Sequence, residues 1–213
     1  MTSEMKRKAV HIGNGFWVFT LAFLPRLAAV VVVLVALFLV LVVFRPKVYN
    51  AAFETMARPR DYEAGILIGP TLYILVVLFV VLIFDFRVAA ATFAMLAFGD
   101  GSATVVGTNF GKHKTRSGKS WEGFAAFVIF GFVFTTSAFF VVDFFQKNGE
   151  AGWVLISELI VEKLPDEMLI LALIFGITVL AAFVELYLSQ YVDDNILVPL
   201  TTSICLTLAL ILL

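Results

Sequence analysis

With 213 residues, 62% of them hydrophobic and 15% charged, and a formal net charge of −1, the chain is far more apolar than a water-soluble domain, where apolar residues make up roughly half. The near-neutral charge argues against a nucleic-acid partner, which needs a dense basic face, and the single cysteine, Cys205, leaves no disulfide framework. An all-α, polytopic membrane bundle forming one domain over residues 1–213 follows, because apolar runs such as Leu27 to Phe44 and Ile66 to Phe84 approach the roughly 20 residues that cross a bilayer core.

In chain order, Lys6, Arg7 and Lys8 place cations at headgroup level, and His11 and Asn14 enter the first apolar run. An anchor and a ligand site are both compatible with that pattern. The run lacks an Ala-x-Ala cleavage site and is followed at once by further spans, so it is expected to remain as a helix. Seven spans are predicted: His11 to Leu24, Leu27 to Phe44, Ile66 to Phe84, Val88 to Asn109, Phe124 to Val142, Met168 to Leu188 and Ile196 to Leu213. Pro25 and Arg26 turn the chain between the first two. From Arg45 to Gly65 the sequence becomes polar and reads as a short amphipathic helix at the headgroups or a solvated connector. Beyond the fifth span, Trp153, Ile156, Leu159 and Ile160 recur at helical spacing and predict an interfacial helix. Lys and Arg on alternate connections number 11 against 4, which places the N-terminus and the central basic loop in the cytoplasm.

The segment from Phe98 to Gly123 concentrates costly groups. Asp100 lies roughly 18 Å into the fourth span at 1.5 Å per residue, and an intramembrane carboxylate is a functional-site hypothesis by default. Asp100, Thr104, Gly107 and Gly111 share one helical face, which can admit a ligand or a neighbouring helix. Gly99 and Gly101 let the helix loosen beside the acid. The loop that follows, Gly111 to Ser120, carries Lys112, His113, Lys114, Arg116 and Lys119 between glycines, a composition suited to cradling phosphate. Ser120 is placed to cap the fifth helix and aim its positive end at the same spot. A positive-inside anchor would explain the charges but not Gly118 or Glu122, and the spacing is not that of a Walker A loop.

Near the end, Glu185 has no charged neighbour within a helical turn, so its partner must be another helix or a metal, and Asp193, Asp194 and Asn195 precede Pro199 at the start of the last span. Asp100, Glu122, Glu185 and Asp194 supply enough hard oxygen ligands for one or two Mg2+ ions, which bind through a few carboxylates together with substrate phosphates. His11, His113 and Cys205 do not make a zinc cluster.

Glu4, Arg7-Lys8 and His11, then Gly99-Asp100, Ala103, Gly107, Phe110-Gly111-Lys112 and Lys119-Ser120-x-Glu122-Gly123, then Glu185 and Asp194-Asn195-x-x-x-Pro199 together resemble the CTP-dependent lipid-alcohol kinases. That family includes dolichol, polyprenol and phytol kinases and a yeast-type diacylglycerol kinase, and is distantly related to the phosphatidate cytidylyltransferases. Asn109 departs from it, standing where many relatives carry a basic residue. The resemblance implies CTP as phosphoryl donor, Mg2+ as cofactor and a membrane lipid alcohol, most simply an isoprenoid alcohol, as acceptor. On physical grounds Lys112, Lys114 and Lys119 are expected to hold the triphosphate, with Lys8, Gly107, Asn109, Gly111 and Ser120 as further phosphate contacts, and Asp100 with either Glu122 or Asp194, and Asn195 beside them, is expected to hold the metal. Catalytic roles fall to Asp100, Glu122 and Glu185, with His11, Asn14 and Thr104 completing the site. Phosphoryl transfer asks the protein mainly for positioning and charge neutralisation, which these residue types provide. A cytidylyltransferase would share the nucleotide but be attacked at its alpha phosphate, whereas a transporter would also place acids at membrane depth.

Overall fold

The computed structural model describes residues 3–146 and 166–212, with side chains described from residue 7. The predicted interfacial helix of residues 153–163, Lys147, and the side chains of Glu4 and Lys6 lie outside the described residues. Among the described residues all regular structure is helical, apart from one antiparallel bridge between Lys114 and Ser120.

Helix α1 (Ser3–Gly15) tightens into a 3-10 segment, Phe16–Ala22, so the first apolar run becomes a two-part helix that begins well before His11. Helix α2 (Arg26–Phe38) loosens into a π turn, Leu39–Val43. The polar connector forms two short helices, α3 (Asn50–Met56) and α4 (Pro59–Ala64), where one was expected. After α5 (Ile68–Ile83) comes the central element: α6 (Phe86–Ala94), a π turn (Met95–Asp100) and α7 (Gly101–Asn109). Helices α8 (Trp121–Gln146), α9 (Glu167–Leu188) and α10 (Asp194–Leu212) complete the chain. Among the described residues five helices are long and apolar enough to cross a membrane, beginning at Arg26, Phe86, Trp121, Glu167 and Asp194, and α5 is a shorter apolar helix.

Burial divides these helices by task. Most residues of the Phe86–Asn109 element are buried, and it forms the axis of the bundle, whereas few residues of Arg26–Val43 are. Helix α2 accordingly shows Leu27, Val31, Val35 and Phe38 on its outer surface, the composition of a lipid-facing wall. The axis can be surrounded because its first half is built from small residues: Ala89, Ala90, Ala91, Ala94 and Ala97 are fully buried, and neighbouring backbones approach closely across them.

Polar pairs close the end of the bundle where α6 begins. Asp85 caps α6 by accepting from the Arg87 N–H at 2.8 Å, and the Arg87 guanidinium bridges Asp85 at 2.9 Å and Asp143 of α8 at 3.2 Å. Arg26 donates to the carbonyls of Val81 and Phe84 and lies 4.4 Å over the Phe86 ring. These contacts hold α2, α5, α6 and α8 in register from the end opposite the acids described next.

Candidate active site

Helix propensity is lowest where Gly99 and Gly101 flank Asp100, and the backbone widens there into a π turn, a feature frequent at functional sites. The glycines also allow close packing. A Cβ on Gly101 would stand 2.5 Å from Ile12 Cγ1, and one on Gly15 would stand 2.6 Å from Ala97 Cβ. Helix α1 is thereby pressed against the π turn and delivers two side chains to the acid. Lys8 Nζ donates to Asp100 Oδ2 at 2.5 Å, while His11 Nε2 lies 3.8 Å from the same oxygen and 3.3 Å from the Leu96 carbonyl.

Asp100 is 1% exposed, and its second oxygen, Oδ1, is buried without a hydrogen-bond partner. Leaving such an atom unsatisfied costs about 1–3 kcal/mol or more for a charged group. Two further carboxylates sit beside it. One oxygen or another of Asp100, Glu185 and Asp194 lies within 4.8 Å of each of the others. Glu185 of α9, 3% exposed, accepts from the Lys119 ammonium of the basic loop. Two ammonium groups against three carboxylates leave the cluster one negative charge, and the unpartnered Asp100 oxygen marks where a cation fits. Hard oxygen donors at this spacing suit Mg2+.

The basic loop is a closed turn. Thr115 N–H donates to the Lys119 carbonyl at 2.7 Å, Gly118 N–H to the Thr115 carbonyl at 3.0 Å, and Trp121 N–H to the His113 carbonyl at 3.0 Å. Gly118 occupies φ +83°, which a side chain would strain. Ser117 Oγ donates to the Leu186 carbonyl at 2.7 Å, fastening the loop to α9 one residue from Glu185. Ser120 caps α8 by accepting from Gly123 N–H at 3.1 Å, as its position predicts.

Several expected ligands have other geometry. Glu122 is not among the clustered acids: it accepts from His113 N–H at 3.2 Å and pairs with His113 Nδ1 at 2.6 Å. Its place is to hold the loop. Gly107 and Gly111 are packing glycines, since a Cβ on Gly111 would fall 2.2 Å from the Gly107 carbonyl oxygen and one on Gly107 would fall 3.0 Å from Ser120 Oγ. Helix α7 ends at Asn109, so Gly111 does not continue the face of Asp100 and Thr104. Asn109 turns its amide back to the Val105 carbonyl at 2.7 Å, Lys114 donates to the Gly107 carbonyl at 2.9 Å, Lys119 turns in to Glu185, and Lys112 is exposed. Asn195 donates its backbone and side-chain N–H groups to Asp193 Oδ1 at 3.1 and 2.8 Å, orienting the start of α10.

A cavity of about 100 Å3 opens beside the acids, with Lys8, His11, Asn14, Asp194 and Asn195 in its wall. Arg58 and Tyr73 also line it. Neither residue was singled out from the sequence, because one sits in a polar connector and the other in an apolar span.

Comparison with known proteins finds plant phytol kinases. A maize (Zea mays) protein named probable phytol kinase, chloroplastic, is 30% identical over 220 residues, an alignment that covers 94% of this chain and 65% of the relative. A rice (Oryza sativa subsp. japonica) protein named probable phytol kinase 2, chloroplastic, is 30% identical over 213 residues, covering 93% of this chain and 64% of the relative. The chain is similar to the plant phytol kinases. Phytol kinase 1, chloroplastic, of Arabidopsis thaliana is 28% identical over 142 residues, covering 63% of this chain and 41% of the relative. The chain thus spans between 41% and 65% of the length of these relatives. No family model and no solved structure matches the chain.

Proposed function

We propose that this chain is a lipid-alcohol kinase, transferring the terminal phosphoryl group of a nucleoside triphosphate to the hydroxyl of a membrane isoprenoid alcohol of the phytol kind. The observation that carries the proposal is the cluster of buried Asp100 and Glu185 with half-buried Asp194, in which Lys8 pairs with Asp100 and Lys119 of the basic loop with Glu185. CTP is the donor that the family resemblance favours. Asp100 and Asp194, with the Asn195 side chain nearby, would hold Mg2+, which supplies charge neutralisation for the triphosphate when bound.

Lys119 and Lys112 attract the donor phosphates to the loop, and Glu122 fixes the loop through His113. The lipid hydroxyl enters from the bilayer to the membrane-depth acids while its chain stays among the apolar walls. Its oxygen forms the new O–P bond as the bond to the departing nucleoside diphosphate breaks, and Asp100 or Glu185 takes the hydroxyl proton. Water is kept from the reacting atoms by burial, since Asp100 is 1% and Glu185 3% exposed.

Seven crossings with the N-terminus and the active site on the cytoplasmic face complete the proposal. Arg45, Lys47, Arg58, Arg60, Lys112, Lys114 and Arg116 fall at the site end of the helices, against Arg26 and Arg87 at the other end among the described residues. The test is to incubate purified protein in detergent with gamma-labelled CTP or ATP, Mg2+ and a panel of lipid alcohols. Label in an isoprenyl monophosphate is expected. Label recovered in pyrophosphate would replace the kinase by a cytidylyltransferase, and no nucleotide-dependent label in any product would remove both.

A further inference from the structure

The cavity beside the acid trio lies between α1, the α3–α4 connector, α5 and the first turn of α10. Its wall has two characters. Arg7, Lys8 and Arg58 make one side cationic, whereas Tyr73, Met56 and Pro70 make the other largely apolar. Asp61 faces these cations too, acting on Arg7 against Arg58 and Arg60, and its two oxygens accept from the backbone N–H groups of Arg58 at 2.8 Å and Ile68 at 3.1 Å, which shapes the connector. The Arg58 guanidinium reaches Asp193 only at 3.9 Å and shares it with Arg60 at 3.4 Å. Burial, then repulsion from Arg58, holds Arg7 below the usual arginine range. Cations crowded in this way favour an anion among them.

The cavity's place relative to the acids says which anion. Lys119 approaches the trio from the loop through Glu185, Lys8 approaches it from α1 through Asp100, and Asp194 belongs to both the trio and the cavity wall. An in-line displacement needs donor and acceptor on opposite sides of the transferred phosphoryl group. With the donor on the loop, the cavity is the acceptor side. The Tyr73 hydroxyl, buried and without a hydrogen-bond partner of normal geometry, lies in the cavity wall with its ring edge-on to His11, centroids 5.2 Å apart. An alcohol oxygen would satisfy it. A volume of about 100 Å3, several times the roughly 10–15 Å3 of the same measure that one water needs, admits a headgroup; the tail then lies between helices toward the bilayer.

We infer that this cavity is the acceptor-headgroup subsite, where Tyr73 positions the lipid alcohol oxygen before transfer and Arg7, Lys8 and Arg58 hold the phosphate monoester after it. The inference rests on the kinase reading for its sequence of events, but its test needs no turnover. Binding of decyl phosphate, inorganic phosphate and Mg·CTP to the purified full chain in micelles would be measured by calorimetry for the native protein, Arg58→Ala and Arg58→Lys, with thermal unfolding as a check on folding. Decyl phosphate affinity is expected to fall about tenfold or more in Arg58→Ala, equivalent to about 1.4 kcal/mol, and to recover in part in Arg58→Lys, while CTP affinity stays within about twofold. Unchanged decyl phosphate affinity in a folded Arg58→Ala protein would overturn the inference. A parallel loss of CTP affinity would also overturn it, by giving the cavity to the nucleotide, as would inorganic phosphate binding as tightly as decyl phosphate. Loss of decyl phosphate binding in Arg58→Ala, combined with no label transfer by the native protein, would keep the subsite and reject the kinase.

Discussion

Removing either partner of the Lys8–Asp100 pair should destabilise the bundle unequally, and the order of the two effects is set by their neighbours. The pair is almost dry, with side-chain exposures of 11% and 1%. Breaking a buried pair by removing one member costs about 3–5 kcal/mol, because the other charge stays behind uncompensated. In Asp100→Asn the lysine keeps the fields of Asp194 and Glu185 and still finds an amide oxygen, which puts the loss near the lower end, about 3 kcal/mol. In Lys8→Met the aspartate keeps only His11 at 3.8 Å and the more remote Lys119, and faces Glu185 and Asp194 within 4.8 Å, which puts the loss near about 5 kcal/mol. The double variant should regain most of that stability, since no charge is orphaned, and the non-additivity measures the coupling. Activity should not return: each single variant and the pair should lose about 100-fold or more in transfer rate, the effect of deleting one electrostatic group aimed at the reacting centre. Equilibrium unfolding in SDS-titrated mixed micelles, alongside label transfer, checks both parts. Asp100→Asn as destabilising as Lys8→Met would refute the electrostatic reasoning, and a fully active Asp100→Asn protein would remove the acid from the mechanism.

Gly101→Ala should lower thermal stability by about 1–3 kcal/mol, because its Cβ would meet Ile12 Cγ1 at 2.5 Å and push α1 off the π turn; adding Ile12→Ala should restore part of the loss and some activity in the same preparations. Glu122→Gln should raise the apparent KM for the nucleotide several-fold with a smaller change in kcat, since it frees His113 and the loop rather than altering the acid trio; steady-state kinetics at varied CTP would show the reverse split if Glu122 were a metal ligand. Chelation of divalent ions should abolish transfer, and Mg2+ at about 100 times its dissociation constant should stabilise the fold by about 2.7 kcal/mol, a thermal shift that Asp194→Asn should reduce. Arg87→Met should cost about 1–3 kcal/mol by removing the guanidinium that bridges Asp85 and Asp143, yet leave transfer per folded molecule unchanged in assays normalised to native protein.

How much of this was legible in advance depends on the range of the interaction involved. Helix positions are local properties of apolar runs, so α2, α5, α8, α9 and α10 fall near their predicted limits. The cap at Ser120 and the loosening at Gly99 to Gly101 are also local, and both are present. Asp100 and Glu185 could be singled out because a carboxylate in an apolar run needs a partner that the run itself does not contain. Which partner each would take is a long-range fact. The Lys8–Asp100 contact joins residues 92 apart in the chain and the Lys119–Glu185 contact joins residues 66 apart. Glu122 shows the opposite error: an acid next to the motif was grouped with the other acids by type, but its partner lies nine residues away within its own loop. Arg58 escaped notice for a third reason. In a connector bearing Glu54, Arg60, Asp61 and Glu63, one more charge is indistinguishable from a solvated surface until Asp61 is seen committed to two backbone N–H groups, which leaves the guanidinium for the cavity.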